Sequence, residues 1–169
     1  RALLHSQPMG FYSASQLVQD VRRHGVTVHP VDVNRSAWDC SLEASQEGVA
    51  ELRLGLRMVK GLSEEGGQQI IEARSSGDYA DVQQLTERAG LDKRELGVLA
   101  SSGALRSIAG DRYRARWAVS GVEKPTPLFT SMHRYEATPL LRKPTEGQNI
   151  VADYQSTGLS LERHPMCLL

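Results

Sequence analysis

Residues 58 to 74 read "MVKGLSEEGGQQIIEAR", and the order of small, capping and acidic residues in this stretch sets the fold class. Gly61 can take a backbone turn that a residue with a Cβ resists. Ser63 is a good N-cap, because its hydroxyl accepts a free amide hydrogen of the first helical turn. Glu64 and Glu65 suit the positive end of the helix dipole. A tight turn therefore runs straight into a helix. Gly66 and Gly67 then stand where glycine costs up to about 1 kcal/mol relative to alanine. The expectation is that something approaches the backbone closely there.

Downstream, the helical pattern continues to about residue 118. "ADVQQLTERAG" places Val82, Leu85 and Ala89 on one face and stops at Gly90. "LDKRELGVLASSGAL" places Leu91, Leu96 and Leu99 together and stops near Gly103. "GDRYRARWAV" follows, with Asp111 as its cap. Four or five short helices are predicted, joined by glycine-containing turns. Two of the turns are alike: "VKGLSEE" and "SSGALRS" each put a glycine and an apolar residue between helical runs. This is a weak repeat of a helix–hairpin–helix unit. Such a hairpin presents backbone amides beside a helix N-terminus, a site for an anion such as a phosphate. Contacts of that kind hold a nucleic-acid backbone and read no bases.

The candidate DNA-binding residues are Lys60, Gly61, Leu62 and Ser63 at the first turn and Gly103 and Ala104 at the second. Arg106, Arg112, Arg114 and Arg116 complete the set, with only Asp111 opposing them. The competing reading is that each glycine turn is a plain helix connection and the arginine run a solvated helix face. Glu64 and Glu65 would repel a phosphate unless they point away.

On the N-terminal side, "SASQLVQDVRRH" reads as a short amphipathic helix capped by Ser13 or Ser15 and stopped by Gly25. "VTVHPVDVN" reads as a strand broken by Pro30. "DCSLEASQEGVAELRLGL" has two alternating arms around "ASQEG", the pattern of a β-hairpin. The predicted fold is mainly α with a small β-containing N-terminal piece and a tandem helix–hairpin–helix domain. It divides into residues 1–52, a small α/β piece not expected to fold alone; 53–118, the helical domain; 119–148, a proline-rich linker; and 149–169, a return to ordered patterning with a Gly158 break.

Composition bounds the function. Hydrophobic residues make up 40% of the 169 and aromatics 5%, so the core must be mostly aliphatic. Formal net charge is zero, so a nucleic-acid site would have to be local. Cys40 and Cys167 lie far apart and suit no metal-ligand spacing, which makes a reducing cytoplasm the expectation. No stretch has the apolar length of a membrane span. Asp-x-Asp pairs, P-loops and dinucleotide fingerprints do not occur, and the five histidines are scattered. No catalytic residue, metal site or cofactor is expected in this chain.

"QPMGFYS", "RRHGV" and "PVDVNRSAWDC" resemble the end of the fingers domain of C-family bacterial DNA polymerases, most closely the error-prone DnaE-type branch (ImuC). "LRLGLRMVKGLSEEGGQQIIEAR" and "LASSGALRSIAGDRYRARW" are similar to that family's first and degenerate second helix–hairpin–helix motifs. "ADYQSTGLSLERHPMCLL" resembles the segment leading into the following OB-fold region. The resemblance implies a piece of a longer enzyme whose carboxylates and Mg2+ lie elsewhere, and a tandem hairpin domain that grips duplex DNA. It also implies protein partners. The place of a sliding-clamp motif reads "PTPLF", with Pro125 where a glutamine would stand. Leu128 and Phe129 could dock on a clamp, on an ImuB-type inactive Y-family polymerase, or on an accessory mutagenesis protein.

Overall fold

A computed structural model describes residues 13–44, 50–122 and 140–162. Helix α1 (Ala14–Arg23) starts at a capping box in which Ser13 and Gln16 satisfy each other's backbone amides. The chain turns at Gly25 and forms β1 (Val28–His29), which Pro30 ends. Strands β2 (Ser41–Ala44) and β3 (Ala50–Arg53) pair antiparallel with Leu42 opposite Leu52, and β1 lies parallel to β3, giving the order β1-β3-β2. Residues 45–49, which include most of the predicted hairpin tip, lie outside the described residues.

A 3₁₀ turn at Leu56–Met58 leads into α2 (Glu64–Arg74). Next come α3 (Val82–Ala89), α4 (Lys93–Ser102), a four-residue α5 (Arg106–Ala109) and α6 (Arg112–Gly121). Helix α7 (Glu146–Ser156) starts at a second capping box, made by Thr145 and Gln148. Asp111 caps α6 and Gly90 and Gly103 end helices in the left-handed region, as the sequence indicates, and Asp81 and Asp92, not singled out there, each accept a first-turn amide as well. Helices enter both ends of the stretch 119–148 read as a linker. Helix α6 runs on to Gly121 and α7 begins at Glu146, because Thr145 and Gln148 form a cap inside the stretch read as extended. Leu128 and Phe129 lie outside the described residues.

One hydrophobic cluster runs through all the pieces, from Val18 on α1 through Leu54, Leu56, Ile70, Leu85 and Leu99 to Leu159 beyond α7. Polar struts pin the N-terminal piece to the helices. Asn34 exchanges two hydrogen bonds with the backbone of Tyr79, and Arg74 donates to the carbonyls of Val33 and Ser36. The Tyr79 hydroxyl donates to the Ile70 carbonyl at 2.6 Å, and burial pushes its pKa up. Arg22 on α1 donates to the carbonyl of Leu161, tying the first described helix to the last described residues. In this arrangement α4 is central. It packs against α6 and α7, and the first hairpin rests on it.

Candidate nucleic-acid interface

At the first hairpin, buried Leu56, Val59 and Leu62 anchor the turn from below. Gly61 sits at φ 88° on top. Only the Leu62 amide closes back, to the Val59 carbonyl. Ser63, in extended geometry, caps α2 by accepting the Gly66 amide at 2.9 Å. Among the described residues nothing accepts the amides of Gly61, Ser63, Glu64 and Glu65. They form a cluster of exposed donors at the positive end of an eleven-residue helix.

The two glycines of the opening stretch have separate explanations. A Cβ on Gly66 would stand 2.4 Å from Glu95 Oε1, and one on Gly67 would stand 2.4 Å from Trp38 Cε3. Gly66 thus makes room for a carboxylate of α4, which accepts a hydrogen bond from the Ser63 hydroxyl at 2.6 Å. Gly67 makes room for an indole. The close approach expected from the sequence is therefore made by the protein's own side chains. Glu64, Glu65 and Glu95 give one side of the helix end a negative character, so an anion has to approach from the Gly61–Ser63 side.

Lys60 is exposed but not idle. Its amide donates to the Ser156 carbonyl at 2.8 Å and its ammonium to the Tyr154 carbonyl at 3.2 Å. A cation at the C-terminal end of α7 suits the negative pole of that helix. Gly61 lies against α4: a Cβ there would meet Val98 Cγ1 at 3.3 Å and Arg94 Nη2 at 3.8 Å. Arg94, which the sequence reading passed over, is thus the guanidinium nearest the open turn. Ser101 shares the α4 face of Arg94 and Val98, and its hydroxyl accepts from Arg116 at 3.2 Å. The first hairpin, Arg94 and Arg116 are therefore gathered along one helix face.

The second hairpin is turned inward. Ala104 and Leu105 are fully buried, and the Ala104 carbonyl accepts the Val33 amide at 3.0 Å. The amides of Gly103 and Ala104 are spent on the carbonyls of Ala100 and Leu99. Gly103 and Ala104 thus offer no donor to a phosphate. Arg112 must also be corrected, since it is only 7% exposed. Its guanidinium donates to the carbonyls of Ser101 and Ser102, to Asn149 Oδ1 at 2.7 Å and to Asp153. A buried guanidinium with every neighbour an acceptor is a strut between α4, α6 and α7. Arg106 and Arg114 are exposed, but Arg106 leans to Glu162 at 3.9 Å and Arg114 to Asp111 at 3.5 Å, away from the first turn's cluster.

Residues 25–115, more than half the chain, match the family model of the helix–hairpin–helix motif, and the chain belongs to that family. Its relatives are error-prone DNA polymerases. Those of Methylococcus capsulatus and Alkalilimnicola ehrlichii are 48% and 50% identical over 99% of this chain, and that of Pseudomonas paraeruginosa 48%. The chain spans 16–18% of the length of these relatives. No described helix is long and apolar enough to cross a membrane.

Proposed function

We propose that this chain is the part of an error-prone DNA polymerase that holds duplex DNA through its backbone during mutagenic synthesis past damage. The observation that carries the reading is the open amide set at Gly61, Ser63, Glu64 and Glu65, in a chain of the helix–hairpin–helix family. Backbone amides and the guanidinium groups of Arg94 and Arg116 meet phosphate oxygens, with Leu62 fixing the turn and Lys60 bracing it on α7. Such contacts position a duplex and carry no sequence information. The Mg2+ that a polymerase uses finds no candidate ligand group among the described residues, and no metal step is assigned to them. Nucleotide joining by the whole protein, in the cytoplasm, belongs to the same proposal.

The test is binding of blunt duplexes of differing sequence across a salt series. Replacing Arg94 and Arg116 together by alanine is expected to weaken binding equally for every sequence. It should flatten the slope of log affinity against log salt by about 2, close to one unit per phosphate contact. Wild-type behaviour in the double variant would overturn the assignment. Docking of an ImuB-type partner, an accessory mutagenesis protein or a sliding clamp through Leu128 and Phe129 is the other function considered. An apolar peptide contact of that kind keeps its strength as salt rises.

A further inference from the structure

On α6, Tyr113, Arg116, Trp117 and Ser120 follow one another at spacings of three, one and three, which puts them on one face. It borders the face of the buried Arg112, Ala115 and Val119, with Arg116 nearest the boundary. Trp117 is 46% exposed, an unusual position for the largest apolar side chain in an otherwise aliphatic protein. Leu141 and Arg142, from the segment before α7, close the other side and leave an open groove of about 420 Å³. Its lining combines two aromatic rings and one leucine with the cations Arg116 and Arg142. Lys93 adds a third cation at its edge by donating to the Ser120 carbonyl at 3.5 Å. Among the described residues no carboxylate lines the groove. Asp111, two positions before Tyr113, is committed to capping α6, and Asp92, beside Lys93, to capping α4.

We infer that this groove binds unpaired bases of a single-stranded polynucleotide. Every base offers a π face, and stacking on exposed aromatic rings beside cations that follow the phosphates is how single strands are held without regard to sequence. A duplex hides those faces in its own stack, so the groove distinguishes the two forms. An uncharged apolar peptide would leave three cations without a counterpart. Continuity gives a further reason, and here the inference rests on the duplex reading. Arg116 lines the groove and also reaches Ser101 on α4, the helix that seats the first hairpin. A strand leaving a held duplex would pass from the hairpin face into the aromatic groove.

The experiment uses the 169-residue chain with a fluorescein-labelled dT12 oligonucleotide and, separately, a blunt duplex, both followed by anisotropy. Trp117→Ala is expected to weaken dT12 binding about ten-fold, in the range found for losing one base–aromatic stack, and to change duplex binding less than two-fold. Arg142→Ala, at an exposed position, should weaken dT12 binding about three-fold without moving the melting temperature. Unlabelled dT12 should quench tryptophan emission in the wild type but not in Trp117→Phe, where only Trp38 still reports. Unchanged dT12 affinity in Trp117→Ala, or in Arg142→Ala, overturns the inference. A melting temperature lowered by Trp117→Ala with dT12 affinity intact also overturns it, since the groove would then be filled by the protein itself. Equal loss of dT12 and duplex binding in Arg142→Ala would mean a general cationic surface and overturns it as well. If duplex binding is absent from the start while dT12 quenches Trp117, the duplex reading fails and the groove stands alone.

Discussion

At the first hairpin Gly61 turns the chain at φ 88°, and at the second Gly103 turns it at φ 79°. Both follow a run of apolar anchors, and both put a buried apolar residue next. The first leaves four amides open beside a helix of eleven residues. The second spends its amides on α4, gives its Ala104 carbonyl to Val33, and leads into only four helical residues. A glycine turn is thus a conformation, and its use is decided by what stands next to it. Glu95 and Arg94 flank the first. Arg112 fills the second, where a Cβ on Gly103 would stand 3.1 Å from Arg112 Nη2.

The sharpest way to break this contrast is Arg112→Leu. It takes the guanidinium from Asp153 and Asn149, leaving Asp153 the Ser160 hydroxyl at 2.7 Å, at a site that is largely closed to water, and removing one partner of a buried pair costs about 3–5 kcal/mol. Urea denaturation is expected to show a loss of that size, with duplex affinity per folded molecule kept. A small stability change with a large loss of duplex affinity would put Arg112 back on the DNA side of the comparison.

The next test swaps the glycines. Gly61→Ala and Gly103→Ala each place a Cβ in the left-handed region, at about 1–2 kcal/mol. At Gly103 the new methyl also displaces the guanidinium that four acceptors depend on, for about 1–3 kcal/mol more. Equilibrium unfolding should therefore rank Gly103→Ala as the more destabilising. Duplex binding should rank Gly61→Ala as the more harmful. A reversal of either order would erase the distinction between an open and a closed turn.

The smallest effect lies in the sheet, at an ion pair that involves neither turn. The Arg53 guanidinium, at 2.5 and 2.9 Å, holds the Glu43 carboxyl below the usual carboxylate value. A group depressed on folding contributes stability that is complete above its unfolded pKa and lost as pH falls through its folded pKa. Acidification from pH 6 to pH 3 is expected to lower the melting temperature of the wild type slightly more than that of Arg53→Met. Equal losses would mean that the pair contributes nothing to the sheet.

The helices were legible in the sequence because their signals are local. Ser13, Ser63 and Asp111 cap where they stand, and Val82, Leu85, Ala89, Leu96 and Leu99 repeat at helical spacing and are all buried. The fate of the arginines was not legible. Arg112 and Arg116 are four residues apart and so share a side of α6, yet one is buried and the other exposed. The difference is made by Asn149 and Asp153, which lie 37 and 41 positions away from Arg112. The one available hint was that pair itself: two polar residues four apart on α7, flanking buried Ile150, have to meet a donor. Arg94 escaped notice for the same kind of reason. Nothing in "DKREL" says that a turn some thirty residues earlier will rest beside it.

The hydrogen bond from Arg22 to the Leu161 carbonyl joins residues 139 positions apart, and this separation has a kinetic meaning. Closing so long a loop costs entropy before the contact returns anything. The seam between α1 and the stretch after α7 is therefore expected to form late, once the helices around α4 have assembled. Weakening that seam, as in Arg22→Ala, should leave the refolding rate nearly constant and raise the unfolding rate. Opening of the folded chain is then expected to begin where its two most distant described parts meet.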